Sequence, residues 1–381
     1  MRNLGKHIKE FSLRNKTLQC KKVFSVTNSE GFIPSTDYFS KEVFSKDLSN
    51  YKIVKRGMVA FNPSRINVGS IANLETEDEV VISPLYIVFK TDDTLDAKFL
   101  TYFLKSDLGN KQIRNLTSGS VRDSLKYSAL EKIRIPSISI SQQKELVIQL
   151  DKIKKIICLK KSYLQQLDNL IKSRFVEMFG DPVKNEKRWE INNLGDLGYF
   201  KNGMNFNQSD EGYILKFLGV GEFKKLTRID SVSILSELEL SNKPSDEYLL
   251  QKGDIVFVRS NGSKELVGRS VLIGELEEPA TYSGFCIRFR NQNQKIQPDF
   301  LIRLFADDNF KKTFKQDSRG ANINNLNQTM LSGLRIIVPP IELQNRFTAF
   351  IQVTDKLKVE VQESLNETQM LFDSLMQQYF E

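Results

Sequence analysis

The chain contains the same long helix twice, and this constrains its fold more than any other feature. From Ser141 to Gly180, apolar residues recur at Leu146, Leu150, Ile153, Ile157, Leu164, Leu167, Ile171 and Met178. The spacing of fours and threes sustains a heptad seam that only Lys160 and Arg174 interrupt. Pro136 and the Ser139-x-x-Gln142 box mark its start, and Gly180-Asp181-Pro182 its stop, with glycine as a left-handed cap and proline barring continuation. From Glu342 to Glu381, Phe347, Ile351, Val361, Leu365, Phe372, Leu375 and Tyr379 repeat the seam. Leu164 and Leu365, Ile171 and Phe372, and Met178 and Tyr379 are each 201 positions apart. The chain is therefore a duplication, each half ending in a long amphipathic helix.

The helices differ in charge. Residues 141–180 hold eight Lys or Arg against four Asp or Glu, and residues 342–381 hold three against seven. Matching seams with net charges of +4 and −4 predict that the helices pair with each other, with flanking charges selecting the partner. Antiparallel pairing would give a pseudo-twofold axis. Helices of ~36 residues span roughly 54 Å.

The 381 residues allow two or three domains. No apolar run approaches the ~18 residues that would span a bilayer, and the start, MRNLGKHIKEF, lacks the apolar core of a signal peptide. Cys20, Cys158 and Cys286 are odd in number and form no CxxC pair, which points to a reducing, cytoplasmic setting and away from a zinc site. The net charge is +8. The helices cancel, so the excess lies on the intervening segments and suggests a polyanionic partner.

The expected plan is mixed α/β: a first module at 1–140, a central spacer helix at 141–180, a second module at 181–341 and a C-terminal spacer helix at 342–381. In the first module, Gly57 turns between two strands and a polar loop runs Asn62 to Ser70. A helix follows at Ala97–Leu108, then a glycine loop from Leu116 to Leu125. The second repeats the order: Gly253, the loop at Arg259–Lys264 with Val267-Gly268-Arg269, the helix from Pro298 to Phe305, and Ser318–Leu326, with Gly320 201 positions after Gly119. Leu194-Gly195 echoes Leu4-Gly5. A shared scaffold with different loops suits two modules that read different targets. Basic modules related by a pseudo-twofold axis match duplex DNA with two short sites and an unread gap.

The pattern resembles the specificity subunits of Type I restriction–modification systems. The resemblance covers the whole chain and rests on four stretches: Lys252-Gly253-Asp254-Ile255; Ser118-Gly119-Ser120 before Leu125; Ile337-Val338-Pro339-Pro340-Ile341-Glu342-Leu343-Gln344; and Leu167-x-x-Leu170-x-x-Ser173-x-Phe175-x-x-Met178-Phe179-Gly180-Asp181. The first module departs from it, with Arg56-Gly57-Met58 in place of Lys-Gly-Asp and Pro136–Gln143 lacking the Pro-Pro and the glutamate. The family implies two target-recognition domains of mixed α/β type joined by two antiparallel spacer helices. It further implies a bipartite double-stranded DNA site, two adenine methyltransferase (modification) subunits and restriction/motor subunits assembling on the chain, and no membrane.

No catalytic centre, metal site or cofactor is expected. The single histidine, His7, reads as a surface residue. Phe217-Leu-Gly219-Val-Gly221 resembles the turn of S-adenosylmethionine-dependent methyltransferases, but the Asn/Asp-Pro-Pro-aromatic motif that grips a flipped base is missing; Asn62-Pro63-Ser64 lies upstream and lacks the second proline. A strand edge and turn is the expected role. No GxxxxGK[ST] is present. The residues expected to touch DNA are Arg65, Asn67, Ser118, Ser120 and Arg122 in the first module, and Arg259, Asn261, Lys264, Arg319, Asn322 and Asn324 in the second. Lys and Arg suit phosphates, while Asn and some Arg suit base edges. Two other readings remain open: a stand-alone DNA adenine methyltransferase, or a coiled-coil scaffold with no DNA role.

Overall fold

The structure is a computed structural model that describes residues 1–38, 44–117, 124–206, 212–224, 226–260, 266–316 and 325–380, with the backbone alone at 37–38, 224 and 314–316. The chain divides into two compact units, Met1–Ser162 with Val361–Glu381, and Tyr163–Glu360.

The same sheet order lies at the centre of each. In the first unit Ile8–Glu10, Ile87–Thr91, Val59–Phe61 and Ile71–Asn73 lie side by side, all antiparallel. In the second, Gly198–Asn202, Cys286–Asn291, Ile255–Val258 and Ser270–Ile273 repeat that order, and Arg228–Ile229 adds a parallel fifth strand. Ile255–Val258 is buried along its whole length because both faces are covered. Ile255 and Phe257 enter the core that holds the helices, while Val256 and Val258 enter a second core, as a period of two requires. Val59 and Phe61 split from Ala60 in the same way. Arg2–Asn3 pairs with Arg134–Ile135, and Glu190–Asn193 with Arg335–Val338, closing each unit on itself. Leu4 and Leu194, the echoed pair, are both fully buried.

Gly57 and Gly253 adopt φ of 83° and 89°, the left-handed conformation a glycine turn supplies. The departure at Arg56-Gly57-Met58 therefore leaves the turn unchanged. The carboxylate in Lys252-Gly253-Asp254 has a structural role. Asp254 is 1% exposed, accepts the Gln251 N–H at 2.8 Å and grips Arg290 through both oxygens at 2.7 and 2.8 Å.

The long helices run Ile140–Phe179 and Ile341–Phe380. Leu150, Ile157, Leu167, Ile171 and Met178 are buried, as the seam predicts, and Phe347, Ile351 and Leu365 answer them. Gly180 takes φ of 78° as the cap. The last carbonyls are met by Lys187 Nζ (Glu177, 2.5 Å; Met178, 3.0 Å) and Trp189 Nε1 (Phe179, 2.8 Å). Within each unit the helices pack antiparallel. In the first unit Tyr379 donates to Gln149 at 2.5 Å, and the seam residue Lys160 donates to Ser364 O (2.9 Å), Ser364 Oγ (2.6 Å) and Thr368 Oγ1 (2.7 Å). In the second, Lys358 meets Asp168 at 2.6 Å, and Phe175 packs on Phe347 with ring centres 5.6 Å apart.

Two expectations need correction. Opposite net charges do not become a ladder of ion pairs: among the described residues the pair joining the helices is Lys358–Asp168, with lysine on the acidic helix and aspartate on the basic one. Seam burial and the hydrogen bonds that Lys160 donates hold the pair instead. The helix expected at Ala97–Leu108 ends at Lys105, and a second helix, Asp107–Thr117, follows after the Ser106 cap. Pro298–Ala306 and Asp308–Gln316 repeat this break. The second helices are mostly polar, so their sequence carries few apolar marks. Gly109 is required where they meet, since a Cβ there would lie 2.0 Å from the Phe103 carbonyl oxygen.

No helix among the described residues is long and apolar enough to cross a membrane.

Candidate nucleic-acid interface

The polar loop of the first unit leaves the sheet at Phe61. Asn62 accepts the Ser64 N–H through its side chain at 3.1 Å and the Arg65 N–H through its carbonyl at 3.0 Å. A short 3-10 helix, Ile66–Val68, then ends at Gly69 with φ of 90°. Ile66, 1% exposed, anchors the loop from beneath. Asn110 Nδ2 holds it from the side, donating to Asn67 O at 3.0 Å. Anchored in this way, the loop leaves Arg65 exposed and Asn67 half-buried.

Both units staple this loop to the end of the second glycine loop. The Leu125 N–H donates to Pro63 O at 3.0 Å, and the Leu326 N–H donates to Arg259 O at 2.7 Å. Leu125 and Leu326 are 201 positions apart and almost wholly buried. A bridge between Ser260 and Asn325 extends the second staple. The loops expected to read DNA, far apart in sequence, thus share one base in each unit.

Of the expected contact residues, the structure describes Arg65, Asn67 and Arg259. Ser118, Ser120, Arg122, Asn261, Lys264, Arg319, Asn322 and Asn324 lie outside the described residues, as do Gly119 and Gly320. Among the described residues neither the Arg65 nor the Arg259 guanidinium has a hydrogen-bond or ion-pair partner, so each keeps all its donors for a ligand. The inner arginines differ: Arg290 is committed to Asp254, and the fully buried Arg288 donates to Glu247 O at 2.8 Å and lies over Tyr199.

The residues considered for catalysis are accounted for structurally. His7 is partly buried, a correction to its expected surface role: Nδ1 lies 3.0 Å from Asp92 and 2.9 Å from the Thr94 hydroxyl. Burial pushes the Asp92 carboxyl upward, but hydrogen bonds from Thr94 and His7 outweigh it and hold it below the usual value. Phe217 is the penultimate residue of Tyr213–Leu218, which is the middle strand of its three-stranded sheet rather than an edge, and packs edge-on against Phe206. The four-residue 3-10 helix Gly221–Lys224 follows, so no long helix presents its N-terminus there. Burial, aided by Glu222, pushes the Cys286 thiol up to about 12, leaving it inert. Among the described residues no group of three or more His, Cys, Asp or Glu could hold a metal ion.

A third element borders the stapled loops. The Arg259 N–H donates to Phe285 O at 2.8 Å, placing the Ser283–Cys286 turn beside the loop base. Sequence reading passed over this turn because nothing in Ser-Gly-Phe-Cys marks it as near Arg259.

Together these features define a duplicated mixed α/β protein, each unit stapling the ends of two loops and leaving one arginine without a partner among the described residues. The Type I restriction modification DNA specificity domain matches residues 186–368. The chain is 25% identical over 338 residues to the Type I restriction enzyme StySPI specificity subunit of Salmonella potsdam, covering 83% of this chain and 72% of that one. It is 22% identical over 344 residues to the EcoKI specificity subunit of Escherichia coli (strain K12), with the same coverage. The fold is similar to that of the Type I restriction–modification S subunit from M. genitalium, with a TM-score of 0.60 and 16% identity over 100% of this chain and 95% of that one. A chain from a study of complex assembly and conformational transition in the type I R-M system gives 0.59 at 16% identity, covering 100% and 97%. The chain thus carries a Type I restriction modification DNA specificity domain at residues 186–368 and resembles Type I specificity subunits along most of its length.

Proposed function

We propose that this chain is the non-catalytic subunit that gives a Type I restriction–modification enzyme its DNA sequence specificity. Residues 1–140 and 181–341 are the two target-recognition modules, each reading one half of a bipartite duplex site. The helices at 141–180 and 342–381 set the unread gap. The observation that supports this best is the repeated staple, Leu125 to Pro63 and Leu326 to Arg259, because it makes one reading surface from two polar loops in each unit. The uncommitted guanidiniums of Arg65 and Arg259 suit phosphate or guanine. The remaining contact residues are those named above.

Two adenine methyltransferase subunits and the restriction/motor subunits are the proposed partners, with assembly in the cytoplasm. Ile148, Ile156, Leu159, Leu170, Val353 and Val359 support a protein partner on the helices, since each is at least 44% exposed on a helix whose seam is already buried.

The test is methylome sequencing of cells carrying the full system, with and without Arg259→Ala. The wild type should yield a bipartite motif. The variant should relax or weaken one half only, by about 1–3 kcal/mol if the contact is bidentate. Equal loss at both halves would contradict two independent readers. A helical turn inserted in the long helices should lengthen the tolerated gap, and unchanged spacing would defeat the ruler role.

A further inference from the structure

Two equivalent turns place a large apolar side chain in solvent. Ser83–Tyr86 links strands Glu79–Ile82 and Ile87–Thr91, and Ser283–Cys286 links Ala280–Tyr282 and Cys286–Asn291. In both, the fourth residue donates its N–H to the serine carbonyl: Tyr86 to Ser83 at 3.1 Å, Cys286 to Ser283 at 2.8 Å. In both, the third residue donates to the serine hydroxyl: Leu85 at 3.5 Å, Phe285 at 3.2 Å. That third residue is 77% exposed as Leu85 and 61% exposed as Phe285, while Ile82, Val88, Tyr282 and Ile287 around them are fully buried. Asn, Asp and Gly are the residues a turn favours. A leucine and a phenylalanine serve neither the turn nor the core.

Their position supplies a reason. The Phe285 carbonyl accepts the Arg259 N–H at 2.8 Å and the Ser260 N–H at 3.4 Å, so its backbone lies at the base of the stapled loops. In the first unit Phe61 is paired with Ile87, and that register runs Pro63 and Leu85 out from the same end of the sheet. Each unit therefore places one exposed apolar residue at the end of the sheet from which its arginine-bearing loop leaves. The apolar mark on a base edge in the major groove is the 5-methyl group of thymine.

We propose that Phe285 and Leu85 are specificity-determining residues, each seating against the 5-methyl of a thymine in the half-site its own unit reads. This rests on the DNA-reading function proposed above.

The experiment measures affinity of the chain, assembled with its modification subunits, for duplexes bearing the bipartite site. Each thymine is replaced in turn by uracil, which removes the methyl and keeps the base pair. One uracil position in the half-site read by the second unit should weaken the wild type by roughly fourfold, the worth of one buried methyl. The same substitution should have no further effect on Phe285→Ala, and Leu85→Ala should behave likewise at the other half-site. Phe285→Leu should restore most of the loss. Wild-type affinity in Phe285→Ala, an undiminished uracil penalty in that variant, or a half-site with no A·T pair would each overturn the proposal. So would a fall in the melting point of Phe285→Ala, since it would assign the ring to the fold. Failure of the underlying DNA-reading role looks different: Arg259→Ala and Arg65→Ala would then leave affinity for both half-sites unchanged.

Discussion

Gln143 and Gln344, 201 residues apart, make the same three hydrogen bonds. Gln143 Nε2 donates to Thr94 O (3.0 Å) and Ile138 O (3.1 Å), and its Oε1 accepts the Asp96 N–H (2.9 Å). Gln344 Nε2 donates to Lys295 O (2.9 Å) and Pro339 O (2.7 Å), and its Oε1 accepts the Gln297 N–H (2.8 Å). Both side chains are fully buried. Each ties the first turn of a long helix to the cap of the short helix packed on its sheet. Gln143→Leu or Gln344→Leu strands three backbone groups and should destabilise the unit concerned by about 1–3 kcal/mol. Denaturant unfolding with an unchanged midpoint would show that the bonds hold nothing.

Lys160 should behave as a specificity device in the helix seam rather than a flaw. Its ammonium is met by one carbonyl and two hydroxyls of the facing helix. Lys160→Ala removes these charge-assisted bonds, and we expect a loss of roughly 1.5–3 kcal/mol. Lys160→Met, which keeps the stem, should recover part of it. Equal stability of all three forms in thermal melts would refute the assignment.

Asp254 and Arg290 form a nearly buried two-pronged pair joining adjacent strands. Asp254→Ala leaves a guanidinium without its partner and should cost about 3–5 kcal/mol. Its effect on soluble yield should exceed that of Lys252→Ala, whose pair with Glu275 is exposed on both sides.

Lys105 gives a pH signature. Burial, with Lys154 nearby, pushes its amine down from 10.5 to about 8. Between those values the unfolded chain holds more protons, so stability should rise with pH over that window and lie flat at its lower level below about 8, where both states are protonated. Lys105→Met should stabilise the first unit at pH 7 by on the order of 1 kcal/mol, after allowance for solvent access, and the gain should fade near pH 10. A pH-independent difference would remove the amine as its cause.

Three of the eleven expected contact residues fall among the described residues. Arg65, Asn67 and Arg259 were recognisable as loop residues of DNA-contacting types, and the 201-residue offset that aligns Gly119 with Gly320 also aligns Leu125 with Leu326. The staples were not legible, because a backbone N–H can meet any carbonyl and its own side chain does not announce which. The Ser283–Cys286 turn was missed for the same reason. His7 was misjudged because its partners, Asp92 and Thr94, lie far along the chain.

The sequence by itself determined what is periodic or stereochemical. The seam at Leu150, Ile157, Leu167 and Ile171, the left-handed glycines 57, 180 and 253, and the duplication follow from apolar spacing and from what a residue without Cβ can adopt. Tertiary structure decided which surfaces meet. Phe380 of the C-terminal helix packs on Phe99 in the first unit, and Phe179 of the central helix packs on Phe300 in the second, with ring centres 5.4 and 4.7 Å apart. Each unit thus holds the start of one long helix and the end of the other. Net charge pointed to pairing without giving its contacts, because Coulomb attraction between exposed groups is weak and non-directional, whereas a ring or a buried amide has one place to fit.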